Sequence, residues 1–378
     1  MQNSHPKITV LIPTFNRAEY LAECLDSILS QTLPAAQIIV VNDGSTDHTR
    51  SVCEPYNKAI EYLELNQVGK SSAINYGLKR ALGDYIWIFD DDDVALPDAL
   101  ARFVEPLEIN PEYGFSYSTF FYTDTNENGR LGSVQQTLQI PDLEKRGFLI
   151  PLLERNFLGG AALFVRASCY SCVGHFDPEL LRSQDYEMAI RIARRFKGIR
   201  VSGGPTFHYR QHEGTRGQSS DRFSSLVRLP KWLSYNQKFF RKFYHQVPLA
   251  EYLPPGIRIE NKIRQAYLQR MAIMASKLLI SEVTADLRAL ARLTDQTPLS
   301  KNEYLIIREM ITRTAYQERG AIFDHFEFFN EIRQLSVASP VIRLLRAKIL
   351  RALLARYRKH PHLSRLPGIL CRIFRLYF

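Results

Sequence analysis

The sequence predicts an α/β fold: a Rossmann-like, mostly parallel sheet with helices on both faces, followed by a mainly helical region. Three observations predict it. Over the first 120 residues, short apolar runs alternate with segments of helical period, the pattern of strands joined by crossover helices. Three of those runs end in polar or acidic clusters, as strands of open α/β sheets do where ligands bind. Beyond residue 220 strand signals fade and the charge reverses. Residues 221–378 hold 28 basic and 12 acidic side chains, leaving 21 and 27 for residues 1–220.

Lys7–Ile12 is an apolar run closed by Pro13, read as a strand. Asn16 with Glu19 has the form of a capping box, and Leu21, Leu25, Ile28 and Leu29 then recur at helical spacing. Ile38–Val41 is a second buried strand, ended by the turn sequence Asn42-Asp43-Gly44-Ser45. Ile60–Leu65 is a third. Ser71–Leu82 reads as a helix stopped by Gly83, and Asp84–Phe89 as a fourth strand. Pro97 opens a helix to about Glu108, since proline suits the first turn. Phe115–Tyr122 reads as a strand, Asn126–Gln136 as a polar loop, and Leu158–Val165 as an apolar segment. Asp185–Phe196 is helical in period, and Val201–Tyr209 is a turn plus strand. Segments 224–245, 257–295, 301–318 and 320–335 read as helices. The expected division is 1–220, a helical accessory region 221–340 and a basic amphipathic tail 341–378.

The chain has 378 residues, 45% hydrophobic and 23% charged, an ordinary globular composition that excludes disorder and fibrous repeats. No run reaches the 18 or more apolar residues of a membrane span. The N-terminus has no basic start and long apolar core, so no secretory signal is expected. Five cysteines, an odd and sparse set, fit a reducing cytoplasm. Cys169 and Cys172 form a lone CxxC without a second pair, which packing explains better than zinc.

The chemistry concentrates at three strand ends. Asp90-Asp91-Asp92-Asp93 follows the fourth strand, and four adjacent carboxylates repel one another unless a divalent cation offsets them. Asp43 ends the second strand, where it can accept hydrogen bonds from a base or ribose, or simply make a turn. Pro13-Thr14-Phe15-Asn16 ends the first strand and opens a helix whose N–H groups lack partners.

These residues resemble the family 2 glycosyltransferases, which have the GT-A fold. Ile8–Asp47 resembles the family's opening, Gly83–Pro97 its strand plus DXD motif, Phe157–Ala193 its acceptor-side segment, and Tyr209–Ser220 the segment that closes its catalytic domain. The resemblance covers about residues 1–220. It implies an inverting, metal-dependent transferase that moves a sugar from a nucleotide-sugar, a UDP-sugar favoured, to an acceptor hydroxyl. Pro13, Thr14, Phe15 and Asn16 would border the nucleotide, with Asp43 on the base and Asp91 on the ribose. Asp92 would ligate Mn²⁺ or Mg²⁺ on the diphosphate, His212 would reach that metal, and Lys70 and Asp90 would help bind the nucleotide-sugar. Asp185 would be the catalytic base. Two positions depart from the family pattern: Gln184-Asp185 keeps one carboxylate of the usual acidic pair, and Ala73-Ile74-Asn75 lacks an expected arginine.

A nucleotidyltransferase would also place acidic metal ligands on such a sheet, but with a Gly-rich basic loop after the first strand, which Pro13–Arg17 is not. A non-catalytic scaffold with a degenerate site is the non-enzyme alternative. Residues 341–378 hold ten Lys or Arg and no Asp or Glu, with Ile342, Leu345, Ile349 and Leu353 on one helical face. An anionic membrane surface is the expected partner of this tail, a packed face the alternative, and nucleic acid is not expected. A lipid-linked or envelope saccharide acceptor and a cytoplasmic location, peripheral on the inner membrane face, are further expectations.

Overall fold

The computed structural model describes residues 6–212, 228–293, 297–315, 326–335 and 339–359. The chain divides into two compact units, Met1–Leu143 with Arg155–Tyr235, and Glu144–Glu154 with Asn236–Phe378.

In the first unit nine strands form one sheet: β1 (Ile8–Thr14), β2 (Gln37–Asn42), β3 (Glu61–Glu64), β4 (Tyr85–Ile88), β5 (Val94–Ala95), β6 (Tyr113–Thr125), β7 (Leu131–Thr137), β8 (Leu163–Arg166) and β9 (Lys197–Arg210). Their order is β3-β2-β1-β4-β8-β6-β9-β5, with β7 on β6. The β3-β2-β1-β4 half is parallel. Every residue of β1 is buried, as a central parallel strand requires. Past β4 the sheet changes character, because β8 pairs antiparallel to both β4 and β6. The sheet is therefore mixed rather than mostly parallel, with helices on both faces. The βαβ rhythm stops near residue 113: β6 still pairs parallel with β9, while β7 on β6 and β5 on β9 are antiparallel.

Helices α1 (Ala18–Leu29), α2 (Thr49–Cys53), α3 (Lys70–Leu78) and α4 (Ala99–Ile109) connect the first strands. Phe103 stacks on Phe164 and meets Trp87 at a tilt, with ring centroids 5.3 Å apart in each pair, and the Trp87 indole N–H donates to Ala161 O at 2.7 Å. Four expectations are corrected. The capping box does not form: α1 starts at Ala18, and Asn16 takes a left-handed φ of 52°. Its side chain instead accepts from Thr46 N–H at 2.7 Å, while Asp47 receives the Ala18 N–H at 3.1 Å. Helix α3 starts at Lys70 and ends at Leu78, before the predicted stop at Gly83. The polar segment after β6 contains a strand, β7, whose central residues are all exposed and so show no apolar alternation. The extended segment before Tyr209 is one long strand, β9, bent at Gly203 and Gly204, both with positive φ.

Three further helices come next: α5 (Leu149–Glu154), which falls to the second unit, then α6 (Ala167–Val173) and α7 (Gln184–Arg195) in the first. Helix α8 (Arg228–Gln246) carries the chain into the second unit, which continues with α9 (Ile263–Ser276), α10 (Ile280–Arg292), α11 (Lys301–Ala315), α12 (Phe326–Gln334) and α13 (Pro340–Lys359). The predicted helix 257–295 is two helices, broken where Leu278 takes a φ of 54°. Leu268, Met271, Leu287 and Ile307 are fully buried among them. Arg264 forms a two-pronged ion pair with Glu303, at 2.7 and 3.0 Å.

The apolar stripe of the tail is packed as far as it is described: Val341, Ile342, Leu345 and Ile349 are buried, with α13 against α10 and α11. Arg346 caps the end of α12 through the carbonyls of Ile332, Arg333 and Leu335. Residues 360–378 of the tail lie outside the described residues. Among the described residues no helix is long and apolar enough to cross a membrane.

Candidate active site

The carboxyl ends of β1, β2 and β4 converge, as the parallel register dictates. The turn after each strand is tied to the next. Asn16 N–H donates to Ser45 Oγ at 2.8 Å, and Asp43 accepts from Val68 N–H at 2.6 Å and Gly69 N–H at 2.8 Å. Asp43 thus fastens the turn that delivers Lys70. Gly69, at φ 95°, opens α3 in a conformation that other residues rarely adopt.

A cavity of about 200 Å³ opens at this edge. Pro13, Thr14, Phe15, Asp43, Lys70, Asp90, Asp91 and Asp92 all line it, so eight of the predicted residues meet in one place. Burial, with the neighbouring charge of Asp92, pushes the Asp91 carboxyl up to about 7. Burial pulls the Lys70 ammonium down, but Asp90, Asp91 and Asp92 outweigh it and hold Lys70 above its ordinary value. Lys70 Nζ forms an ion pair with Asp90. Asn16 supports the loop rather than lining this cavity.

A second cavity, about 180 Å³, adjoins the first and shares Lys70, Asp90, Arg182 and Gln184 with it. Asp185 lines it, in the first turn of α7. Ser183, left-handed at φ 59°, turns the chain into that helix. Burial pushes the Asp185 carboxyl up, against the pull of Lys70. A Cβ at Gly160 would stand 3.5 Å from Asp90 Oδ2 and 3.9 Å from Asp185 Oδ2, so the missing side chain keeps the space between the two carboxylates open.

His212 Nε2 lies 3.0 Å from Asp92 Oδ2 and 3.3 Å from an Arg17 guanidinium nitrogen. A carboxylate and an imidazole with converging lone pairs fit a divalent cation. The buried Nδ1 of His212 has no hydrogen-bond partner among the described residues. No group of three or more Asp, Glu, His or Cys converges as a metal cage among the described residues. Asp92 and His212 would therefore hold a cation as a pair, its other positions falling to oxygens from elsewhere.

Several neighbours escaped the sequence reading. Arg17, Arg182 and Tyr209 line the first cavity, and Asn156 and Trp232 the second. Arg17 directly follows the Pro13–Asn16 run, and Arg182 lies three residues before Asp185; proximity to those motifs was the available signal. Arg182 shares the first cavity with Ala73, from the segment that lacks an arginine of its own. Arg210 gave no signal. Fully buried, it donates to Asp92 O at 2.7 Å and to Glu23 at 2.6 Å, while its own N–H donates to Asp93 at 3.0 Å. It fixes the backbone of the acidic turn.

Residues 9–172 match the model described as Glycosyl transferase family 2. That segment is similar to the family 2 glycosyltransferases. An uncharacterized glycosyltransferase of Rickettsia conorii is 32% identical over 193 residues, which cover 50% of this chain and 32% of that protein. Glycosyltransferase GlyA of Streptococcus pneumoniae is 43% identical over 90 residues, 23% of this chain and 13% of its own. The matched part thus spans about a third of the length of the first of these relatives. The crystal structure of S. aureus TarS 1-349 in complex with UDP-GlcNAc superposes with a TM-score of 0.53 at 16% identity, covering 95% of this chain and 93% of that one. At that identity the likeness is one of fold, a GT-A-like mixed sheet with helices on both faces.

Proposed function

We propose that the chain is an inverting glycosyltransferase that moves a sugar from a nucleoside diphosphate sugar, a UDP-sugar favoured, to the hydroxyl of a saccharide or lipid-linked acceptor. The observation that carries this reading is the pair of adjoining cavities. One holds the acidic turn and the other Asp185, with Lys70, Asp90, Arg182 and Gln184 common to both.

The nucleotide lies along Pro13, Thr14 and Phe15, with Asp43 toward the base and Asp91 toward the ribose. Asp92 and His212 hold Mn²⁺ or Mg²⁺. The cation, when bound, offsets charge on the diphosphate. Lys70, Arg17 and Arg182 add positive charge around the same leaving group, which accumulates negative charge as the anomeric bond breaks. Asp185 faces the reacting carbon from the other cavity and takes the acceptor hydroxyl's proton. Its raised pKa suits that task, because a base closer to neutrality holds a proton more firmly while still ionising. One displacement without a covalent intermediate inverts the anomeric configuration. An envelope saccharide as acceptor and contact of the basic tail with an anionic inner membrane complete the reading. The described exposed cations on α13 include Arg343 and Arg351.

The test is transfer itself. The protein, given UDP-sugars, Mn²⁺ and a panel of saccharide acceptors, should release UDP in step with product whose anomeric configuration is opposite to the donor's. Product of retained configuration would sink the mechanism. UDP binding without any turnover, across donors and acceptors, would favour the scaffold instead.

A further inference from the structure

The second unit has a cavity of its own, about 350 Å³, formed by the 144–154 segment with α9 and α11. No residue of it lines either cavity of the first unit. Its volume falls in the range of ligand sites. Ile150, Leu305, Ile306 and Met310 make an aliphatic wall. Facing them are the amides of Gln265, Gln269 and Asn302 and the charges of Lys145, Arg146 and Arg313, opposed by Glu154 and Glu309.

The charges leave a positive balance. Glu154 is already engaged: Arg146 donates to it through both guanidinium nitrogens, Arg313 at 3.3 Å and Gln269 at 2.9 Å. These partners outweigh its burial and hold its carboxyl below the usual range. Arg313 also donates to Glu309 at 3.0 Å. Three cations against two carboxylates leave one positive charge over the cavity.

Gln265 points to an occupant. It is only 6% exposed and it lines the cavity, so its amide is reached from there. An amide on a cavity wall pairs with water or with a ligand, since leaving it unpaired is costly. A ligand that offers a hydroxyl there would satisfy it.

We propose that this cavity binds an acidic glycan of disaccharide size. Ring hydroxyls pair with the Gln265 and Asn302 amides, aliphatic ring faces lie on the Ile150–Met310 wall, and a carboxylate or phosphate meets Lys145 and Arg313. Alternative ligands fit less well. Among the described residues no aromatic ring lines the cavity to stack a nucleobase. An alkyl chain would leave the amides buried against hydrocarbon.

The test is calorimetric titration of the full chain with a glucuronate-containing disaccharide and with a disaccharide 1-phosphate. The comparators are the same disaccharide with its carboxylate reduced to an alcohol, and octyl phosphate. At least one acidic saccharide should bind saturably, and which one does identifies the anion. The neutral form should bind at least tenfold more weakly. Gln265→Leu and Asn302→Ala should each weaken the acidic saccharide at least tenfold and leave UDP affinity unchanged. Asn302 is exposed at the start of α11, so its truncation spares the core. The proposal is overturned if neither acidic saccharide binds, if the neutral form or octyl phosphate binds as well, or if both variants keep full affinity. UDP binding, read separately, keeps this outcome distinct from failure of the transferase reading.

Discussion

The two units treat buried charge in opposite ways. In the helical unit the buried carboxylates have fixed partners. Glu303 accepts from Arg264 through two guanidinium nitrogens, and that pairing overcomes its burial and holds its carboxyl below the usual range. In the α/β unit carboxylates crowd together. Asp91 sits beside Asp92 and is pushed up to about 7, and Asp185 is raised by desolvation. A satisfied ion pair secures packing. A cluster of like charges held against its own repulsion awaits a cation or a proton, and such perturbed groups in a cleft mark chemistry. Burial alone would not separate these cases; the identity of the nearest partner does.

The largest effect expected from breaking this contrast is at Asp185. Asp185→Asn should reduce turnover by about 10²–10⁴-fold, the usual worth of a general base, while calorimetry finds UDP affinity nearly unchanged. Because the wild-type carboxyl is raised, the acid limb of its pH–rate profile should lie above the ordinary aspartate value near 4. Equal turnover in the variant would refute the role.

The next effect is structural. Glu303→Ala removes one partner of a buried pair and leaves Arg264 uncompensated, which costs about 3–5 kcal/mol, read as a fall in urea midpoint. UDP affinity, governed by the other unit, serves as the control. A loss under about 1 kcal/mol would mean that Arg264 finds water or another acceptor.

Lys277 sharpens the comparison because it is the helical unit's exception. It is 6% exposed and donates to Glu154 O at 2.9 Å, and burial pushes its ammonium down to about 7. Its folded pKa lies below the unfolded value of 10.5, so between about pH 7 and 10 the unfolded chain binds more protons. Stability therefore rises with pH over that window, and the penalty is complete below pH 7. Lys277→Met should raise the melting temperature more at pH 6.5 than at pH 9. An equal shift at both values would show that the ammonium is solvated.

The smallest effect is at the tail. Arg346→Ala removes the cap on α12, and loss of such hydrogen bonds costs about 0.5–1.5 kcal/mol each. Vesicle binding by the full chain, measured against salt, asks separately whether the basic residues of 341–378 meet an anionic surface.

Much of the site was legible because its residues lie at strand ends. Ile8–Ile12 and Ile38–Val41 are apolar runs long enough to declare buried strands, and residues just past the end of such a strand stand at the ligand edge by topology. Asp43 and the acidic turn were read this way, and Asp185 through its family motif. The mixed pairing beyond β4 was not legible, since strand direction is set by connections rather than by periodicity. Strand β7 was missed because its central residues are all exposed, and the helix break at Leu278 because no glycine or proline marks it. Asn16 was misread as a cap because the Ala18 N–H at the start of α1 is met by Asp47, from a loop about thirty residues on.

Taken alone, the sequence determined the main strands and helices of the first 110 residues, where the chain changes from α/β to helical, and which carboxylates stand at strand ends. Those are local properties, written in the spacing of apolar side chains and in turn chemistry. Only the tertiary structure decided that Arg210 braces the acidic turn, that Gly160 keeps the gap between Asp90 and Asp185 open, that the 144–154 segment belongs to the helical unit, and that Gln265 lines a cavity there. Each depends on groups far apart in the chain being brought within a few ångströms, where the surrounding dielectric and the nearest charge set what a side chain can do.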